Sequence, residues 1–150
     1  VPLILVPLLL CLDQAVKIWA VAHLAPGVPH PFIPLLDLTL IYNTGAAFGL
    51  FPGGARILVI VSVVVGFGIL YYLSRHKLSL LQQAAFSLIA AGALGNAIDR
   101  IGRGSVVDYL DATGTGWGPF DNFPIFNLAD ACVVVGVILL LLPTRRRSKW

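Results

Sequence analysis

Leu88-Ile89-Ala90-Ala91-Gly92-Ala93-Leu94-Gly95-Asn96-Ala97-Ile98-Asp99-Arg100 is the stretch whose reading decides how this chain folds. It closes an apolar run that begins near Leu80, about the twenty residues a helix needs to cross a bilayer. Ala91 and Gly95 stand four apart, and Gly92 lies four residues before Asn96. Small residues at helical spacing let helices approach closely in lipid. The run ends in Asn96 and, three positions on, Asp99, a spacing that puts both side chains on one helix face. Further along, Phe126-Asn127-Leu128-Ala129-Asp130 repeats the Asn-x-x-Asp spacing and opens another apolar run.

Composition bounds the class. Of 150 residues, 58% are hydrophobic and 11% charged, and the mean hydropathy is +0.91. A soluble domain carries about 25% charged residues, so this chain lacks the polar surface of a soluble globule. An all-α integral membrane protein of one domain, residues 1–150, is expected. Four spans follow from the apolar runs, at about 1–21, 56–73, 80–99 and 128–142. The last looks short, so its helix is expected to begin slightly earlier. Segments 23–55 and 100–127 lie between spans on the outer side. Leu36 to Tyr42 partly alternates and reads as a strand, and Ser105 to Leu110 has strand propensity. The two are expected to pair as a small sheet above the membrane. Pro26, Gly27, Pro29, Pro31 and Pro34 mark a loop. Cys11 and Cys132 sit in apolar runs with no CxxC pattern and read as small buried side chains.

Charge gives the orientation. The seven acids are all Asp, and ten Lys and Arg leave a net +3. Ser74-Arg75-His76-Lys77 and the tail Arg145–Lys149 fall on the same side if there are four spans. The positive-inside rule makes that side cytoplasmic, so both termini are expected in the cytoplasm. Asp99 then closes the third span, and Asp130 opens the fourth, at the outer interface. Trp117, Phe120, Phe123 and Phe126 suit the same interfacial zone. No interleaved basic and aromatic patches of the kind nucleic-acid binders carry are present.

Two carboxylates at one membrane depth suggest chemistry. Brought together they cannot both ionise easily, so they share a proton near neutral pH. The ionised member can take a proton from water and the protonated member can donate to a carbonyl oxygen, as in aspartic proteases. Asn96 and Asn127 could orient the dyad, and Arg100 could pair with a carboxylate or a lipid phosphate. Asp13 and Lys17, four apart in the first span, read as an ion pair that either fixes helix packing or supports the site. Asp108, Asp111 and Asp121 lie in a hydrated loop and read as solvated carboxylates. Intramembrane carboxylates also serve ion pathways, so the chemistry alone leaves a peptidase and a small proton-coupled transporter equally open. His23, His30 and His76 do not cluster at ligand spacing, and no nucleophile elbow or phosphate loop is present. No metal or cofactor is expected.

The motifs together resemble one family, the lipoprotein signal peptidases (type II signal peptidases) of bacteria. The likeness runs in order through Asp13-Gln14-x-x-Lys17, Asn43-Thr44-Gly45-Ala46-Ala47-Phe48, Gly92-x-x-Gly95-Asn96-x-x-Asp99-Arg100, Val107-Asp108-Tyr109 and Phe126-Asn127-x-Ala129-Asp130. The resemblance implies a membrane aspartyl endopeptidase of the bacterial inner membrane. It implies four transmembrane helices, an extracytoplasmic sheet and an outer segment over the site. The substrate it implies is a prolipoprotein carrying diacylglycerol on a Cys, cut just before that Cys. On this likeness Asp99 and Asp130 are the expected dyad. Asn43, Asn96, Arg100, Asn127 and Gly92 line or support the site, and Asp13 and Lys17 match the first-span pair. Globomycin-type antibiotics are the expected inhibitors, membrane lipids the surroundings, and a monomer the expected state.

Overall fold

Helix α1 (Pro2–His23) starts on a proline, whose fixed φ suits a first helical turn, and ends where Leu24 turns extended ahead of Pro26. It buries a single stripe, Val6, Asp13, Lys17 and Ala20, while Leu3 is 91% exposed. An apolar surface left open in this way is what a lipid-facing helix presents. The computed structural model describes residues 1–45, 54–113 and 123–142. After α1 come strands β1 (His30–Ile33) and β2 (Leu36–Asn43), helices α2 (Gly54–Arg75) and α3 (Leu80–Arg103), strand β3 (Val106–Asp111) and helix α4 (Leu128–Leu141).

Helix α3 is the hub, with α1, α2 and α4 all packed on it. Its buried face is built from small residues, Ala85, Ala90, Ala91, Gly92, Gly95 and Ala97 among them. A Cβ at Gly92 would come within 2.3 Å of the Ala129 carbonyl oxygen on α4, and one at Gly66 of α2 within 2.5 Å of the Leu94 side chain. Lipid gives helices no hydrophobic reason to associate, so close backbone contact of this kind holds them together. Helices α1, α2 and α3 are long and apolar enough to cross a membrane, whereas α4 is apolar but has 14 residues. At 1.5 Å per residue that is about 21 Å, short of a full hydrocarbon core.

The strands form one antiparallel sheet in the order β1-β2-β3. The expected pairing of the two strand-like segments is present, with Tyr42 opposite Val107 and Ile41 opposite Asp108. Leu40, Val107 and Tyr109 of the sheet pack with Ala20 near the end of α1. The sheet therefore packs against the end of α1.

Several boundaries differ from the sequence reading. Helix α3 continues past Asp99 for another turn, because nothing stops it before Gly104, which takes the left-handed conformation (φ 77°) and bonds back to Arg100. Helix α4 begins at Leu128 and no earlier, since Asn127 caps it. Strand β1 lies inside the segment read as loop; its proline, Pro31, is tolerated on the edge of the sheet. Cys11 is exposed on the lipid-like surface of α1, while Cys132 is buried as expected. Ala46, Ala47, Phe48, Trp117, Phe120, Asp121 and the basic tail Arg145–Lys149 lie outside the described residues.

Candidate active site

The first turn of α4 organises the site. A helix begins with backbone N–H groups that have no partner inside it. Here the Asn127 side chain accepts from Asp130 N at 2.9 Å, and the Asp130 carboxylate accepts from Asn127 N at 3.2 Å, a reciprocal capping box. Ala129 N donates to Asp13 Oδ1 of α1 at 3.2 Å, and Leu128 N to the Tyr109 hydroxyl of β3 at 3.3 Å. Three elements thus fix the turn that carries Asp130. The side chain stays half-buried, and its other oxygen accepts from Asn96 Nδ2 at 2.7 Å.

Asp99 has different company. It is fully buried, and Lys17 Nζ lies 2.9 Å from Oδ2. Arg103, one turn on, forms a second ion pair with it, Gln14 Nε2 donates at 3.1 Å, and Val107 N donates at 3.1 Å. Lys17 also pairs with Asp13 at 3.0 Å, as the spacing of the two had led us to expect. Asp13, Lys17, Asp99 and Arg103 form a charge-balanced set between α1 and α3. Buried charges persist when they are paired and hydrogen-bonded in this way. Among the described residues no hydrogen bond joins Asp99 to Asp130.

The acid bonded to Asp130's own cap is Asp108. The sequence reading put it in water, but it is 1% exposed. Pairing of β3 with β2 turns it inward, opposite Ile41, where Asn43 Nδ2 donates to it at 2.9 Å and Asn127 Nδ2 at 2.6 Å. Burial pushes its carboxyl up from the ordinary 3.8 to about 6; the charge of Asp130 adds to that push, and the bonds from Asn43 and Asn127 oppose it. Asn127 thus bridges two carboxylates, and Asn96 joins the bridge, accepting from Asn127 Nδ2 at 3.1 Å.

The remaining expected site residues sort by partner. Arg100 lies within electrostatic reach of Asp130, Asp108 and Asp99, yet its Nε has no hydrogen-bond partner. Gly92 touches no polar group of the site; its missing side chain lets α4 seat against α3. Asn43 also accepts from Gly45 N at 2.8 Å, and Gly45 takes a left-handed φ of 75°, so the chain turns directly after β2. The reading from sequence set Asp108 aside as a solvated carboxylate, carried Gln14 only as part of a motif, and did not single out Arg103. The i, i+4 spacing of Asp99 and Arg103 would have signalled Arg103, and the Val-Val-Asp-Tyr pattern of β3 would have signalled an inward-facing acid.

Beside Asp130 lies an apolar cavity of about 330 Å³, walled by Ala112, Phe123, Phe126, Ala131, Val134 and Val135. It runs from the carboxylate along the first turns of α4. Among the described residues no three His, Cys, Asp or Glu side chains converge as metal ligands would. The site as built offers two carboxylates, a set of amide donors and an apolar wall.

Comparison with known proteins agrees with this picture. Residues 5–145 match the model of the family described as Signal peptidase (SPase) II. A lipoprotein signal peptidase of Deinococcus radiodurans is 44% identical, with 99% of this chain and 83% of the relative covered. One of Streptococcus pyogenes serotype M1 is 42% identical over 90% of this chain and 86% of its own length. A bacterial membrane enzyme solved by the in meso method superposes with a TM-score of 0.82 at 33% identity, covering 93% of this chain and 88% of the other. The match takes in nearly the whole chain, and the chain belongs to the signal peptidase II family.

Proposed function

We propose that this protein is a membrane aspartyl endopeptidase that removes signal peptides from lipoprotein precursors, and that Asp108 and Asp130 are its dyad. This pairing replaces the expected pairing of Asp99 with Asp130. The observation that carries it is the Asn127 bridge, whose amide donates to Asp108 while its backbone and side chain hold Asp130. Asp99 is instead neutralised by Lys17 and Arg103, and a carboxylate so engaged is a poor proton acceptor. It supports the site by holding α1, α3 and the start of β3 together.

In the proposed reaction Asp130 takes a proton from a water that attacks the scissile carbonyl carbon. Asp108, which keeps its proton to about pH 6, donates to the carbonyl oxygen. On collapse Asp130 passes its proton to the leaving amine and Asp108 recovers its own, so the site returns to its starting state. The apolar cavity beside Asp130 suits the lipid-modified or apolar part of a precursor that never leaves the bilayer. The exposed apolar faces of α1 and α2 and the basic segments support four spans, cytoplasmic termini and a sheet and dyad at the outer face. A substrate carrying diacylglycerol on the Cys after the cleaved bond, a monomeric enzyme and globomycin-type inhibition belong to the same reading. Nothing in the geometry favours the transporter alternative.

The test is cleavage of a diacylglyceryl-modified precursor by purified variants, read by gel shift. Asp108→Asn and Asp130→Asn are each expected to fold and to lose about a hundredfold or more in rate, the scale of general acid–base catalysis. Wild-type processing by a folded Asp108→Asn variant would return the dyad to Asp99.

A further inference from the structure

The buried ammonium of Lys17 has a task beyond balancing charge. Lys17 is fully buried, and an ammonium has three N–H donors and no acceptor. All three donors are used: Asp13 Oδ2 at 3.0 Å, Asp99 Oδ2 at 2.9 Å and Asn96 Oδ1 at 3.1 Å. The third bond matters most, because an Asn side chain has an oxygen end and an N–H₂ end that exchange places on a half turn. Opposite Lys17 only the oxygen is tolerated. The N–H₂ end of Asn96 is thereby aimed at Asp130 Oδ1, 2.7 Å away. Asn127 reinforces the choice, since its Nδ2 also donates to Asn96 Oδ1 at 3.1 Å. Turned over, Asn96 would set its N–H₂ against an ammonium and an amide donor, and its oxygen against a carboxylate. That arrangement would favour Asp130 carrying a proton.

We propose that Lys17 is a positioning residue for the dyad: by fixing the direction of the Asn96 amide it aims an N–H at Asp130 and keeps that carboxylate the proton acceptor. Lys17 forms no hydrogen bond to Asp130 or Asp108 among the described residues; it acts through Asn96. The relay gives the two carboxylates of the dyad different environments. Asp130 receives donors from Asn96 and from its own capping turn, whereas Asp108 sits deeper and receives Asn43 and Asn127. The ionisable groups that face Asp130 are Arg100 on α3 and Asp108 and Tyr109 on β3; Asp13 on α1 bonds the neighbouring Ala129 N, and Asp99 and Arg103 on α3 pair with each other. Among the described residues none of them bonds the Asn96 side chain, so none sets its direction.

The inference rests on Asp130 acting as the base, and the measurement separates the two ideas. The readout is kcat/KM against pH for a diacylglyceryl-modified precursor in detergent, with folding checked by circular dichroism. Lys17→Met is expected to move the acid limb upward by about one pH unit, the scale of a lost donor to a carboxylate, with KM unchanged. Asn96→Ala, which leaves both ion pairs of Lys17 in place, is expected to show the same displacement. The double variant is expected to show no more than Asn96→Ala alone, as residues in one chain of contacts do. If Lys17→Met does not fold, Asp13→Asn with Lys17→Gln removes both charges and takes its place. A folded Lys17 variant with the wild-type limb overturns the relay, as does a wild-type limb in Asn96→Ala or displacements that add. Full activity of Asp130→Asn would instead remove the base on which the inference stands.

Discussion

Replacing Asn43 by Ala tests the electrostatics of the site at its most legible point. Asn43 donates to Asp108 Oδ2 at 2.9 Å from the exposed end of β2. Holding Asp108 at about 6 against an ordinary 3.8 means that the folded site disfavours this carboxylate by about 3 kcal/mol. The Asn43 bond opposes that effect. A hydrogen bond to a charged group contributes about 1.5–3 kcal/mol, and water reaching the exposed position in the variant recovers part of it. Part of that loss remains, so Asp108 is expected to hold its proton about one pH unit higher. The sign follows from its role. In the proposed reaction Asp108 must be protonated to donate, so kcat/KM is expected to fall as pH rises through its ionisation. Asn43→Ala therefore moves the alkaline limb upward, opposite in effect to loss of an acid. Carboxyl ¹³C shifts of Asp108, followed by NMR in micelles, measure the ionisation directly, with Asp108→Asn to assign the resonance. An ionisation that stays at about 6 or falls in Asn43→Ala would refute this account of Asp108.

Three further expectations concern stability. A buried acid with a raised pKa keeps its proton in the fold after the unfolded chain has lost it, so its contribution is full below 3.8 and lost as pH rises through about 6. Urea titrations of wild type and Asp108→Asn across that window should differ by about 3 kcal/mol in their pH dependence. Asp99→Asn leaves Lys17 and Arg103 facing a neutral amide, and the loss is expected to be about 3–5 kcal/mol, the cost of breaking a buried pair. Thermal denaturation reads that loss, and the fraction that remains folded should still cut precursor. Gly92→Ala would press a methyl to 2.3 Å from the Ala129 carbonyl. It should cost about 1–3 kcal/mol as overpacking and lower kcat, because α4 carries Asp130; wild-type Tm and rate would show that α3 and α4 can separate freely.

Local patterns made much of this protein legible. The apolar runs marked each helix among the described residues, because the hydrophobic content of a span is a property of neighbouring residues alone. The β2 and β3 segments were legible from their β-branched residues, and Asp13 with Lys17 from helical spacing. Strand β1 was hidden by Pro31 and Pro34, since a proline that breaks a central strand is harmless on an edge. The end of α3 was misplaced because a charged pair looks like a boundary in a hydropathy pattern, while Asp99 and Arg103 satisfy each other inside the helix.

The choice among the acids shows where local reading stops. Asn96 and Asp99 share a helix face by spacing, but three residues on a helix still differ in direction by a sixth of a turn. Both reach Lys17 on α1, but Asn96 also reaches Asp130 on α4, while Asp99 also reaches Arg103 on its own helix. No spacing rule predicts that division, which depends on which helices flank α3. Asp108 is polar and stands in a segment between spans, so by itself it reads as solvated. Only the pairing of β3 with β2, and the cap at Asn127, bring it out of water and beside Asp130. The sequence alone determined a membrane protein with Asn-x-x-Asp motifs at the ends of two apolar runs. The tertiary structure decided which carboxylates share the Asn127 bridge, because burial and partnership belong to residues far apart in the chain.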